Sequence, residues 1–458
     1  MFDLEASIIS RYQGEARLQR LLWVATEASP DVRQAALPLA KEYAQHLGNI
    51  RRFQETCHLL QQNDDAWVNH RMLQNRQDRE ILMQRLSVAQ AHLNKEAIRV
   101  AYLALAEHDT QTGELREALH SAVRAKDYCT NRSHTAVVSL YVLQIALYQQ
   151  NYKTVQDYSN KLQHILNQVE TAVKYKVLIA TGLERLAAHE YTSAANKFVE
   201  ALYCAMEHSS VEGNEHLSWN DVLAPEDVAL FAAFLSLAAN ASRDSLIQLA
   251  EHPEALDLIP IAREILLQFA QRTNYKATWQ LLEQHLFPAL KLDLYLGLHF
   301  ETLKQHIREK CLLQYWKSYE RVELSALAEH MGPGLVPPEQ CTDLCVSLIQ
   351  RRLFPTDTRI NLQDGVLVRV PVESVMEKTQ RRLNSATERT LNDTYAMMIR
   401  LACVDHNLVI AHSHGRKQRG GGWAGLAPAA GSVVFDEEKS DEEVEEPMED
   451  AINPEDLY

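Results

Sequence analysis

The sequence predicts a mostly α-helical protein: a solenoid of paired-helix repeats, then a helical bundle ending in a winged helix with a small β-hairpin, then a long C-terminal helix. Three observations carry this. Glycine (15) and proline (14) are both scarce for 458 residues, which favours long helices over turn-rich sheet. Apolar residues recur at helical spacing almost throughout, and one unit repeats. Only one stretch, after Tyr319, alternates as a hairpin should.

The elements follow in order. In "IISRYQGEARLQRLLWVATEA", Ile8, Tyr12, Leu18, Leu21, Leu22 and Ala25 keep a three-four rhythm, so a helix is expected. "SPDVRQAALPLAKEYAQHLGN" opens on Ser29 as N-cap and Pro30 at the first helical position. The recurring unit comes next: "GELREALHSAVRA", "QNYKTVQDYSNKL" and "HEYTSAANKFVEAL". Each has a turn, then Leu115, Tyr152 or Tyr191, then Ala118, Val155 or Ala194 three residues on. The first positions lie about 37 and 39 residues apart, near the period of helix-hairpin solenoids, in which each hairpin buries its apolar face only by stacking on neighbours. Phe53 and Tyr275 mark looser copies. Small residues at Ala118 and Ala194 let paired helices approach closely. A loop from His208 is the clearest internal break, and helices resume at Pro225.

After Tyr319, "RVELSALAEHM" reads as a short helix and "PEQCTDLCVSLIQRRLF" as a second. Asp364-Gly365 turns a hairpin between Ile360–Leu362 and Val366–Val368. Helix, helix and two-stranded wing make a winged helix. From Val372 a long helix carries Met376, Thr379, Leu383, Ala386, Thr390, Met397, Leu401, Asp405 and Leu408 near an a/d seam, which needs a partner. Expected boundaries are an N-terminal helical arm at 1–95, helical repeats at 96–224, the bundle with winged helix at 225–370, the terminal helix at 371–411, and a disordered glycine-rich and acidic tail at 412–458.

Composition narrows the function. The net charge is −15, yet Asp436–Tyr458 alone holds about twelve acidic residues against one lysine, leaving about −4 for the rest. That gives no electrostatic case for nucleic acid as the main partner. Seven scattered cysteines read as reduced thiols. The start lacks a signal-peptide pattern, and no apolar run approaches the roughly 18 residues of a membrane span.

Enzyme chemistry finds little support. Cys129 lies between His120 and His134, but no spacing forces a thiol–imidazole contact, so it reads as a small apolar residue at a helix end, with Cys204 at the equivalent place. His412 and His414 form an HxH, as in one class of zinc-dependent isopeptidase. The serine and aspartate of that pattern would fall at Gly422 and Gly425. Cys341 and Cys345 share a helix face without a second ligand pair. Phosphate loops and nucleophile elbows are absent. "GRKQRGGGW" reads as a spacer and Ser440 as a chance acidophilic kinase site. No catalytic residue, metal site or cofactor is expected.

In its order of solenoid, bridge, winged helix and terminal helix, the chain resembles the PCI-domain proteins, a module shared by the proteasome lid, the COP9 signalosome and translation initiation factor three; its solenoid is the TPR-like part of that architecture. "GELREALHSAVRAKDYCTNRSH" and "YAMMIRLACVDHNLVI" resemble the signalosome branch, and the likeness spans roughly 1–411. The resemblance implies a non-catalytic scaffold supporting cullin deneddylation and regulation of cullin-RING ubiquitin ligases, located in nucleus and cytoplasm. It implies contacts with other PCI subunits and a metalloprotease-type subunit, and with cullin-RING ligases through the assembly. Neither a membrane nor nucleic acid is implied. The implied interfaces are the wing edge, at Arg359, Ile360, Leu362, Val366 and Val368, and the terminal helix, at Met376, Leu383, Met397, Leu401 and Leu408. The proteasome lid paralogue and a nucleic-acid-binding PCI protein using Arg351, Arg352 and Arg359 are the alternatives. A wing lengthened around Asp357–Asp364 and the acidic tail depart from the family pattern.

Overall fold

A computed structural model describes residues 4–62, 64–164, 170–212, 217–239, 242–252, 256–370, 375–406 and 408. After a wide helical turn at Glu5–Ile9 come α1 (Gly14–Glu27), α2 (Pro30–Leu47), α3 (Ile50–Leu59), α4 (Asp65–Ala91), α5 (Lys95–Gln111), α6 (Leu115–Lys126), α7 (Arg132–Tyr148), α8 (Tyr152–Gln163), α9 (Thr171–Ala187) and α10 (Tyr191–Glu212). Most of these pack chiefly on their neighbours in sequence, as a solenoid requires. Next are α11 (Pro225–Ala238), α12 (Arg243–Glu251), α13 (Pro260–Ala270), α14 (Tyr275–Leu281), α15 (Phe287–Lys291) and α16 (Phe300–Trp316). The winged helix comprises β1 (Arg321–Glu323), α17 (Leu324–Met331), α18 (Cys341–Gln350), β2 (Thr358–Asn361) and β3 (Val366–Arg369). A final helix, α19, runs Val375–Asp405. Two compact units result, Met1–Val372 and Glu373–Tyr458.

One turn is reused between helices. A residue with positive φ is followed by a capping residue and the next helix: Gly48, Leu93, Gln150 and Thr273 have φ of 78°, 52°, 55° and 51°. Each precedes an asparagine whose side chain accepts a backbone N–H of the new helix, at Asn49, Asn94, Asn151 and Asn274. A left-handed non-glycine residue costs about 1–2 kcal/mol, and an asparagine cap contributes about 1 kcal/mol, so the cap offsets most of the strain. Tyr152 and Tyr275 each open a helix after this turn, and Leu115 and Tyr191 open theirs after a positive-φ residue, Gly113 or His189, followed by a glutamate instead of an asparagine. Phe53 does not: it sits one turn into α3, and Ile50 holds the position equivalent to Tyr152. The apolar rhythm alone placed the repeat three residues late there.

The main core joins Tyr12 and Ala16 to residues from Ala136 to Leu367, spanning the later repeats and the winged helix, while the earlier helices hold smaller clusters of their own. α9 and α10 meet where a Cβ on Gly182 would lie 2.9 Å from the Phe198 ring, so only glycine permits this approach. α10 extends to Glu212, so the expected loop at His208 begins as helix. α1 and Tyr12, just before it, are tied far along the chain. The Tyr12 hydroxyl donates to Asp227, Arg20 pairs with Asp293 at 2.8 Å, and Gln19 donates to the Tyr148 carbonyl at 3.1 Å. Ser29 and Pro30 stand at the start of α2 as expected, although the serine side chain makes no capping bond.

The wing has three strands, in the order β1-β3-β2. Residues 321–323, expected to open a helix, form β1 instead, pairing Val322 with Leu367. Their side chains are exposed, buried, exposed, and Leu324 N–H donates to Gly365 O at 2.8 Å, closing the strand onto the turn. Trp316 donates from Nε1 to Thr358 Oγ1 at 3.1 Å and fixes the wing on α16.

Candidate assembly surfaces

β3 is hydrogen-bonded on both sides, so it has no edge to offer. Val366 and Val368 are therefore not edge residues: Val366 is buried and Val368 half-buried at the centre of the sheet. β2 keeps one side unpaired among the described residues. It presents Arg359, exposed, and Ile360, half-buried. Leu362 is 68% exposed, but it lies in the turn rather than in a strand. Asn361 Oδ1 accepts Gln363 N–H at 3.1 Å and its Nδ2 donates to Asp364 at 2.7 Å, which shapes that turn. An unpaired strand edge is a template for another strand.

α19 is the larger surface. Met376, Leu383, Met397 and Leu401 are 62–78% exposed, and Leu408, just past the helix end, is 64% exposed. At about 100° per residue, Met376, Leu383, Thr390, Thr394, Met397 and Leu401 fall in an arc of about 60°. The a/d pattern missed Leu391, Tyr395, Met398, Ile399 and Val404, all exposed by more than half. With them the apolar arc beyond residue 390 widens to about 220°. A full helical wheel, rather than a heptad count, identifies these residues. A narrow stripe suits one partner helix; an arc this wide suits enclosure by several.

The thiols and charged groups outside these surfaces serve the fold. Cys129 lies in the turn after α6, half-buried, with burial raising its pKa, while Cys204 is buried inside α10, so the two places are not equivalent. His120 is exposed, and His134 lies near Glu96 at 3.6 Å. Cys341 and Cys345 are buried in the winged helix, Cys341 donating to Leu324 O at 3.6 Å. Arg351 meets buried Glu309 with both nitrogens, at 2.5 and 3.0 Å, which commits it to the fold rather than to phosphate. His412, His414 and Ser440 lie outside the described residues. Among the described residues no cluster of three metal-ligating side chains occurs, and no helix is long and apolar enough to cross a membrane.

Comparison with known proteins agrees with this architecture. Residues 64–248 match the family described as 26S proteasome subunit RPN7, and residues 279–368 match the PCI domain. The chain is 27% identical over 339 residues to COP9 signalosome complex subunit 1 of Arabidopsis thaliana, covering 71% of this chain and 74% of that one. It is 26% identical over 432 residues to the subunit 1 of Emericella nidulans, covering 90% and 82%. A 26S proteasome non-ATPase regulatory subunit 6 homolog of Arabidopsis thaliana is 20% identical over 274 residues, covering 59% and 67%.

Proposed function

We propose that this chain, a PCI-domain relative of COP9 signalosome subunit 1, is a non-catalytic scaffold subunit of that complex. Its work is to hold neighbouring subunits for cullin deneddylation and thereby to regulate cullin-RING ligases. The observation that carries this reading is α19: a long helix on which Met376, Leu383, Leu391, Tyr395, Met397, Met398, Ile399, Leu401 and Val404 are all more than half exposed. Contiguous exposed apolar surface on this scale marks a protein interface. The narrow stripe takes one helix, the wide C-terminal arc takes several, and the open side of β2 pairs with a strand of a neighbouring PCI subunit.

The domain division at 95, 224, 370 and 411 belongs to this proposal, as does a distribution between nucleus and cytoplasm, checked by fractionation. The test is affinity purification of the full-length chain from its own cells at near-physiological salt, with mass spectrometry. A metalloprotease subunit and other PCI chains are expected to co-elute. Proteasome ATPases and lid subunits would transfer the proposal to the paralogous complex, which the match to a proteasome subunit family at 64–248 keeps in play. No PCI partner would overturn both. The purified chain alone is expected to leave a modified cullin uncleaved.

A further inference from the structure

A groove of about 920 Å³ lies between α4 and α5, away from the wing and from α19 in sequence. Alanines at 97, 101 and 104 make its floor, and Ile81, Val88 and Val100 its walls. These walls are 49%, 55% and 51% exposed. The hairpin packs inward through Leu86 and Ala89 against Ile98 and Tyr102, and Ala97 and Ala101 join that packing, whereas Ile81, Val88 and Val100 take no part in it and are left exposed. Two charged side chains line the groove, Arg85 and Glu96, and they differ in their partners. Arg85 and His92 line it and are exposed, and among the described residues no carboxylate pairs with Arg85. The single acidic lining residue, Glu96, is already held by Arg99 and lies 3.6 Å from His134. Lys95, exposed beside it, adds another cation.

We infer that this groove docks an acidic amphipathic helix of a partner protein. Its apolar residues would rest on the alanine floor between Val88 and Val100, and a carboxylate would face Arg85. Shallow alanine floors admit large side chains from an opposing helix, and an unpaired arginine at the rim selects acidic partners over basic ones. The inference does not depend on which complex the chain joins.

The test places a photo-crosslinking benzoylphenylalanine at Val88 of the full-length chain in its own cells and sequences the crosslinked peptide. The expected product is a segment of another protein with helically spaced apolar residues and carboxylates beside them. Arg85→Glu should lower the yield about fivefold, and Val100→Glu should abolish it. A synthetic copy of the captured segment should bind the purified chain and weaken in parallel. A basic or uncharged segment, a peptide from a second copy of this chain, a yield unchanged by both variants, or no crosslink at all would each overturn the proposal. The same probe at Met376 reports on the α19 interface separately, so failure of the groove and failure of the proposed assembly are distinguishable. Both variants alter exposed side chains, so the fold is retained.

Discussion

α11 and α19 are both regular helices, and they spend their apolar residues in opposite ways. α11 buries Val228, Phe231, Phe234, Leu235 and Leu237 and is apolar nearly all round, as a helix enclosed by its own chain must be. α19 is more than twice as long, with 31 residues against 14, and exposes Met376, Leu383, Met397 and Leu401. Stability and assembly therefore reside in different helices. Residues around α11 hold the chain together; those on α19 are available to something else.

Charge on α19 gives the largest effect that separates the two. Leu383→Glu with Leu401→Glu should release the chain from its co-purifying subunits, while thermal unfolding and helicity stay within about 0.5 kcal/mol of the parent. Unchanged incorporation would remove α19 from the interface. The converse substitution is Phe231→Ala, which deletes a fully buried ring packed edge-on to Phe198 at 5.4 Å. Urea unfolding should show a loss of about 3–5 kcal/mol, and any surviving folded protein should still assemble. A smaller value would mean that the site collapses around the cavity.

Arg351→Ala sharpens the contrast at the winged helix. It strands a buried Glu309 carboxylate, but Arg351 is itself half-exposed, so the expected cost is about 1–2 kcal/mol rather than that of a fully buried pair. RNA binding, measured by filter retention at low salt, should be absent before and after. A finer probe is Lys310, whose ammonium donates to Ser236 O and Ala239 O at the end of α11. Burial lowers its pKa to about 8. Between about pH 8 and 10 the unfolded chain keeps this proton while the folded chain loses it, so this residue's contribution to stability rises with pH. The difference in stability between the parent and Lys310→Met should climb across that window; a flat difference would mean that the lysine stays charged in the fold. Smallest of all, Cys129→Ala should change stability by less than about 1 kcal/mol and leave assembly intact, and iodoacetamide should label Cys129 more slowly than a free thiol at pH 7, because burial raises its pKa.

Much of this was legible in the residues. Tyr152, Tyr191, Tyr275 and Leu115 mark helix starts because each follows a local turn, and local turns are written in adjacent residues. The length of α19 and its stripe at Met376, Leu383 and Leu401 follow from spacing alone. The second apolar flank, with Tyr395 and Ile399, was equally present in the sequence but lies outside a heptad template. The groove between α4 and α5 was not legible, because alanines at helical spacing look like ordinary packing positions until the neighbouring helix is placed.

Local sequence determined most of the helical segments, the position of the hairpin turn, and the apolar residues on the last helix that need cover. Periodicity and turn chemistry act over a few residues, and that range is enough. The tertiary structure alone decided that Arg321–Glu323 form a strand, that β3 is central so Val366 and Val368 cannot be an edge, and that Arg20 pairs with Asp293. A strand of three residues has no preference of its own strong enough to read. It exists because Val322 meets Leu367, forty-five residues away, and such pairings are set by which surfaces the whole fold brings together.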